Sequence, residues 1–314
     1  MSPYKVLYDT DPGIDDAMAL LLALSSPEID IVGITTVFGN THVEATTRNA
    51  LNLLHLAGRT DIPVAKGADQ PMVLPRGKTG EFVHGDDGMG NIGWTQANDV
   101  NLKPISKHAA QFLVETIMAQ PGEITLVAVG PMTNVGLALQ LEPRIAQAVR
   151  NVVIMGGSIA VPGNVSPTAE ANIHNDPHAS ALLFSAGWDV TVAGLDVTQA
   201  VRMDDTFFAS LGQSNNPYGK FIKQIIPCYQ KFHREHYGYE NGGVDTHDPS
   251  AFAYLIDPSI FTAERYSIVV PTEGVSAGTT IADRRGRFFD TPKANCLMQA
   301  DSAKFLKMFR ERLT

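Results

Sequence analysis

Four aspartates, Asp9, Asp11, Asp15 and Asp16, fall within eight residues of one another near the N-terminus, in the run Lys5-Val-Leu-Tyr-Asp-Thr-Asp-Pro-Gly-Ile-Asp-Asp16. An apolar stretch leads into them, a Pro-Gly turn interrupts them, and Ala17 to Leu24 reads as an apolar helix. Carboxylates crowded at a strand-to-helix turn repel one another unless a positive charge sits among them. A hard cation held by oxygen ligands supplies that charge. Helix capping is the plainer alternative. It accounts for Asp15 as an N-cap or Asp16 as a partner of the helix dipole, but not for Asp11 as well. No Cys/His pairing accompanies the aspartates, so calcium or magnesium suits them better than zinc. The Gly and terminal Glu spacing of an EF-hand is absent.

Further groups of reactive side chains lie along the chain. Asn164, Glu170, Asn172 and Asp176 belong to one polar stretch. If it is extended, Glu170 and Asn172 share a face, and amides beside a carboxylate suit a polyhydroxylated ligand such as a sugar. Asp176 precedes Pro177 and reads as a helix N-cap. Asp245-Thr-His247-Asp248-Pro249 stands at the head of an apolar segment, where His247 is either a ligand-facing acid or a capping detail. His84 sits in a loop with Gly85, Gly88 and Gly90, which is a lid or a surface turn. Tyr229, His233, His236, Tyr237 and Tyr239 cluster within eleven residues, a pattern that fits a base-stacking lid better than a core stripe.

These residues need a scaffold, and the apolar periodicity supplies one. Strand-like runs at 4–8, 29–37, 62–65, 124–129, 151–155, 190–193 and 266–270 alternate with helix-like runs at 16–25, 43–57, 108–119, 132–140, 177–186 and 218–236. A hairpin over 275–289, turning at Arg285-Gly286, and a terminal helix over 300–310 complete the pattern. The alternation predicts an α/β fold: an open, mostly parallel Rossmann-like sheet flanked by helices, with a small β-hairpin appendage near the C-terminus. No linker, repeat or low-complexity tract divides residues 1–314, so one domain is expected. The long irregular stretches are 67–104 and 156–175, and long loops in a compact domain are commonly functional. In such sheets ligands bind beyond the carboxyl ends of the strands. Asp9 to Asp16, Asn40, Gly130 to Asn134, and the loop from Gly156 to Asp176 all follow strands and land on that rim.

Composition narrows the function classes. The chain has 314 residues, 44% hydrophobic and 18% charged, which is enough for a sizeable core. A net charge of −9 argues against a nucleic-acid partner, and Arg284, Arg285 and Arg287 read as a solvated hairpin tip. Two cysteines, Cys228 and Cys296, are too few for a disulfide framework, and a reducing compartment fits. No signal segment or membrane-length apolar run is seen, so a cytoplasmic location without membrane contact is expected. Neither a Gly-x-Gly-x-x-Gly after the first strand nor a Gly-Lys-Ser motif is present.

Taken together, the run Asp9-Thr-Asp-Pro-Gly-Ile-Asp-Asp16, Val37-Phe-Gly-Asn40, Gly130-Pro-Met-Thr-Asn134, Met155-Gly-Gly157, Ala169-Glu-Ala-Asn-Ile-His-Asn-Asp176 and His247-Asp248-Pro249 resemble the inosine–uridine type nucleoside hydrolases, in family order and over almost the whole chain. The resemblance implies a bound calcium ion held by Asp11, a bidentate Asp15, the Val129 carbonyl and Asp248, with a water and two ribose hydroxyls. It implies that Asp11 is the general base toward that water, and that Asp16, Asn40, Met155, Asn164, Glu170, Asn172 and Asp248 bind the ribose. His247 would sit by the leaving base, with His84, His233, Tyr229 and Tyr239 as base or lid residues and Asp9 structural. The implied substrate is a ribonucleoside, cleaved through an oxocarbenium-like state, and the implied assembly a homodimer or homotetramer. Ala171 stands where purine-accepting relatives often carry an aromatic, which leaves base preference open.

Two other classes compete. Asp9-Thr-Asp11 after an apolar strand imitates an aspartyl-phosphate motif, but Gly85-Asp-Asp-Gly88 follows a polar loop instead of a buried strand. A sugar- or nucleoside-binding protein would need no carboxylate poised at an activated water.

Overall fold

The computed structural model describes residues 2–94 and 102–314. The first half alternates as the periodicity predicts: β1 (Tyr4–Thr10), α1 (Ile14–Leu24), β2 (Ile29–Thr36), α2 (Val43–Leu56), β3 (Val64–Lys66), α3 (Glu81–His84), α4 (Ala109–Ala119), β4 (Ile124–Ala128), α5 (Thr133–Leu141), α6 (Ile145–Ala148) and β5 (Asn151–Met155). The second half continues with α7 (Ala171–Asn175), α8 (Pro177–Ser185), β6 (Val190–Ala193), α9 (Leu195–Thr198), β7 (Arg202–Met203), α10 (Asp205–Gln213), α11 (Pro217–Tyr237), β8 (Val244–Asp245), α12 (Pro249–Ile256), β9 (Phe261–Val269), β10 (Ile281–Asp283), β11 (Lys293–Ala300) and α13 (Ser302–Leu313). Part of the expected 67–104 loop, residues 95–101, lies outside the described residues.

Nine of these strands form one sheet in the order β10-β9-β11-β6-β5-β4-β1-β2-β3. The pairs from β11 through β6, β5, β4, β1 and β2 to β3 are all parallel. Parallel strands are covered on both faces, which is why β4 and β5 read as apolar runs with no polar alternation. Two buried clusters, one on each face, hold the helices down. One gathers α1 with residues of α11, α12 and α13, the other α4, α5 and α8. Helix α1 is buried along almost its whole length, so its apolar residues need no amphipathic pattern.

The chain runs from β1 outward to β2 and β3, then returns to place β4 on the other side of β1. The strand order therefore reverses at β1, and a crevice opens where loops at the carboxyl ends of β1 and β4 diverge. That crevice receives the aspartate run.

The C-terminal edge departs from expectation in its pairing. Residues 281–283 pair antiparallel with β9, not with their own neighbours. The expected turn does form: the Asp283 carboxylate accepts the backbone N–H groups of Arg285, Arg287, Phe288 and Phe289. Strand β11 was not anticipated. Its sequence, Lys-Ala-Asn-Cys-Leu-Met-Gln-Ala, is poor in strand formers. Its place between β6 and β9 is decided by long-range pairing.

Candidate active site

The aspartate run folds as a strand end, a turn and a helix start. Gly13 is the N-cap of α1, and its N–H donates to Asp16 Oδ2 at 2.9 Å, so Asp16 reaches back over the first turn. Asp16 also accepts from Thr10 Oγ1, from the Asp11 N–H at 3.2 Å and from Asn40 Nδ2 at 2.9 Å. The capping alternative thus holds for Asp16, with Gly13 and not Asp15 at the N-cap. Asp9 points away from the rim into the sheet, where Thr35 Oγ1 and Asn134 Nδ2 donate to its Oδ1. Burial raises its pKa to about 7. A structural part for Asp9 agrees with these bonds.

Asp11 is admitted to the rim by the absence of two side chains. A Cβ on Gly39 would lie 2.1 Å from Asp11 Oδ2, and one on Gly130 would lie 2.5 Å from Oδ1. The Asn40 N–H donates to Oδ2 at 2.8 Å. Asp15 reaches the same space from the first turn of α1, with Tyr229 OH donating to its Oδ2 at 3.3 Å. Its Oδ1 is buried without a hydrogen-bond partner. Asp248 arrives from the far end of the chain, at the head of α12, and carboxylate oxygens of Asp15, Asp16 and Asp248 lie within 4.8 Å of one another. Burial and then the neighbouring aspartates push the pKa values of Asp11 and Asp248 well above the usual carboxylate range. Without a counter-charge these groups hold one another's protons. A divalent cation among them reverses that tendency. An all-oxygen set with an orphaned buried oxygen fits a hard cation.

A cavity of about 320 Å³ opens above this floor. Asp11, Asp15, Asn40, Val129, Met155, Asn164, Glu170, Asn172, His84, Tyr229, His233, His247 and Asp248 line it, so thirteen of the fifteen anticipated residues meet in one place. The two outside the lining are Asp16 and Tyr239. Asp16 lies beneath the floor, fully buried. Tyr239 stacks under Arg202, whose guanidinium is 4.0 Å from the ring centroid, behind His233.

The Glu170–Asn172 segment is positioned differently from the extended one expected. Glu170 is the N-cap of α7, its carboxylate accepting from Gly157 N and Asn172 N, both at 2.9 Å, and from Ile173 N at 3.2 Å. A carboxylate that collects amides at a helix start converts a strand-like pattern into a turn. Asn172 nevertheless faces the cavity, and its Nδ2 donates to the carbonyls of Val129 at 2.6 Å and Met155 at 3.1 Å. Asn164 Oδ1 accepts from Ala171 N at 3.0 Å, which folds the loop back as anticipated. Asp176 is the N-cap of α8 and also accepts from Thr133 and Met72, so it is structural.

Rings form the opposite wall. His84 stacks on Tyr229 at 5.3 Å, and the edge of Tyr229 meets His233 at 4.4 Å. His84 Nδ1 accepts the Ile14 N–H at 3.1 Å, which leaves the ring proton on Nε2. His233 Nδ1 faces the Tyr229 carbonyl at 2.9 Å, and His247 Nδ1 faces Thr198 Oγ1 at 2.9 Å. Burial pushes His84 and His233 down to about 4 and His247 to about 3, so all three are neutral near pH 7. Phe232, Asn175, Val165 and residues 78–80 also line the cavity and were not anticipated. For Phe232 a signal existed, since it lies inside the His/Tyr cluster of α11.

A match to the family model of the inosine-uridine preferring nucleoside hydrolases extends over residues 6–307. The chain belongs to this family. It is 39% identical over 317 residues to a probable uridine nucleosidase of Arabidopsis thaliana, covering 98% of this chain and 97% of that one. It is 38% identical over 301 residues to the inosine-uridine preferring nucleoside hydrolase of Leishmania major, covering 95% and 92%. The fold matches the solved structure of a plant nucleoside hydrolase with a TM-score of 0.94 at 37% identity, over 99% of each chain. The protein is therefore a nucleoside hydrolase, and the rim at the carboxyl ends of β1 and β4 is its candidate active site. Among the described residues, no helix of this hydrolase is long and apolar enough to cross a membrane.

Proposed function

We propose that the protein hydrolyses the N-glycosidic bond of ribonucleosides to free base and ribose, with calcium held at the aspartate floor and Asp11 as general base. The observation that carries this reading is the convergence of Asp11, Asp15 and Asp248 with an orphaned Asp15 oxygen at the bottom of a nucleoside-sized cavity. Asp11, Asp16, Asp248 and the Val129 carbonyl are the candidates to hold the ion, with Asp15 beside them on the cavity side. When bound it would orient the sugar diol and acidify water.

The chain's own residues perform the remaining tasks. Asp11 is held at its carboxylate by the Asn40 N–H and takes the proton from the attacking water. The aspartates favour the positive charge that develops on the sugar as the C1′–N bond breaks. Asn172, Glu170 and Asn164 line the sugar end, where their amides and carboxylate suit hydroxyls. The bonding electrons leave with the base, which acquires a proton from solvent, and Asp11 returns to solvent the proton it took from water. Because His84, His233 and His247 are neutral near pH 7, they act as hydrogen-bond partners to the departing base rather than as ready imidazolium acids.

The division of labour between Asp15 and Asp16 is read in the reverse of the expectation. Asp15 lines the cavity and so is placed to meet a ribose hydroxyl. Asp16 lies beneath, among the floor carboxylates, where it is placed to meet the ion and not the sugar. The names of the relatives, uridine and inosine-uridine, make uridine the first substrate to try. A panel of nucleosides assayed for reducing sugar in phosphate-free buffer tests the proposal. Ribose release from uridine or inosine is expected, and ribose that appears only when phosphate is added would overturn it.

A further inference from the structure

Behind the ring wall lies a second group of metal-ligating side chains, separate from the aspartate floor. His233, Asp245 and His247 each offer a ligand atom, and these atoms lie within 4.8 Å of one another. Asp245 is fully buried, and neither of its carboxylate oxygens accepts a well-formed hydrogen bond, with Tyr239 and Arg202 its nearest side-chain donors. A buried carboxylate in that state is costly unless a cation compensates it. Arg202 compensates it only in part, through one long ion pair. Arg202 Nε is 3.6 Å from Oδ1, and its guanidinium is spread over the Tyr239 ring on a largely exposed side chain. The second oxygen, Oδ2, faces His233 Nε2 at 3.8 Å.

The two imidazoles are braced in the manner of metal ligands. His233 turns Nδ1 to the Tyr229 carbonyl, and His247 turns Nδ1 to Thr198 Oγ1. Such outer bonds fix ring orientation and raise ligand basicity. The free nitrogen of His233 meets only the Asp245 N–H, at a long 3.3 Å, a contact that an ion would replace. His233 and His247 both border the cavity, so solvent can complete a coordination shell. Two imidazoles and one carboxylate with open positions suit borderline transition ions, not calcium.

We propose that His233, Asp245 and His247 form a second divalent-cation site, selective for zinc-like ions, at the base end of the cavity. It differs from the floor in ligand type, and an ion there would occupy the space of the nucleobase. The competition with nucleoside rests on the hydrolase reading, whereas ion binding does not.

The test is a Co²⁺ titration of the full-length protein in excess calcium, followed by visible absorption. The expected result is a nitrogen-ligand band that saturates at one ion per chain and is displaced by Zn²⁺ but not by added Ca²⁺. Asp245→Asn and His233→Gln are each expected to weaken the band by at least about tenfold. If Asp245→Asn fails to fold by circular dichroism, His233→Gln decides alone. A band that is absent, that calcium removes, or that persists with unchanged affinity in the folded variants would overturn the site. Inhibition of uridine turnover by Zn²⁺ that lessens with rising uridine would place the ion in the base space, and inhibition indifferent to uridine would remove that part of the proposal.

Discussion

The two ends of the cavity are built by different means. The floor is made of strand ends and the first turn of α1, where backbone amides hold Asp11 and Asp16, Gly39 and Gly130 leave room for Asp11, and Asp15 stands beside them. The ring wall is made of α3, α11 and the loop before α12, where His84, Tyr229 and His233 touch one another and single backbone groups and His247 meets Thr198 Oγ1. The floor therefore has little freedom to change without loss of the sheet edge itself. The wall can change its rings while the helices stay in place. Under the proposed function, this contrast assigns the bond-breaking chemistry to the floor and base preference to the wall.

The largest expected effect comes from the floor. Asp11→Asn keeps the volume and the Asn40 contact but removes the proton acceptor, so kcat for uridine should fall by roughly 10²–10⁴-fold with the circular dichroism spectrum unchanged. A fall of less than tenfold would move the general base elsewhere. Gly130→Ala should come next, because a Cβ 2.5 Å from Asp11 Oδ1 must displace that carboxylate. Steady-state kinetics should then show a lower kcat with a smaller change in KM.

At the wall, His233→Phe keeps a ring and removes the nitrogens. Its effect on kcat/KM should depend on the base, differing between inosine and uridine by several-fold, and equal losses for both would erase the proposed division of labour. Tyr229→Phe should cost less, on the order of 1 kcal/mol, since it removes one hydrogen bond to Asp15.

A separate effect, on stability instead of turnover, concerns pH. His233 has its pKa lowered by burial from 6.5 to about 4, so the native state resists its protonation. A lowered pKa contributes stability that is present above the unfolded value and lost as pH falls through the folded one. Between pH 6.5 and about 4 the parent protein should therefore lose up to about 3 kcal/mol more stability than His233→Phe, read from urea unfolding at each pH. Parallel stability curves for the two proteins would contradict this.

The same contrast explains what the sequence disclosed. The floor was legible because its residues are close in sequence and follow apolar strands, and a parallel sheet brings strand ends to one rim. The parallel order itself followed from the alternation of apolar runs with helical periods. The wall was legible only as a composition, His and Tyr at helical spacing in α11, since which rings face inward depends on how α11 packs. Thus Tyr229 and His233 reach the cavity while Tyr239, past the end of the helix, stacks on Arg202 instead. Glu170 looked like a member of an extended face, and only the amides that it collects reveal a helix cap. Strand β11 escaped notice because weak strand formers there are recruited by β6 and β9 on either side.

The central claim, that a cation at the floor and Asp11 together hydrolyse the nucleoside, is met most directly by one assay. Protein stripped of divalent ions by a chelator is given uridine in phosphate-free buffer, before and after calcium is restored, and ribose is measured. The account predicts little ribose from the stripped protein and stoichiometric ribose and uracil once calcium returns. Full turnover by protein that elemental analysis finds free of metal would contradict it.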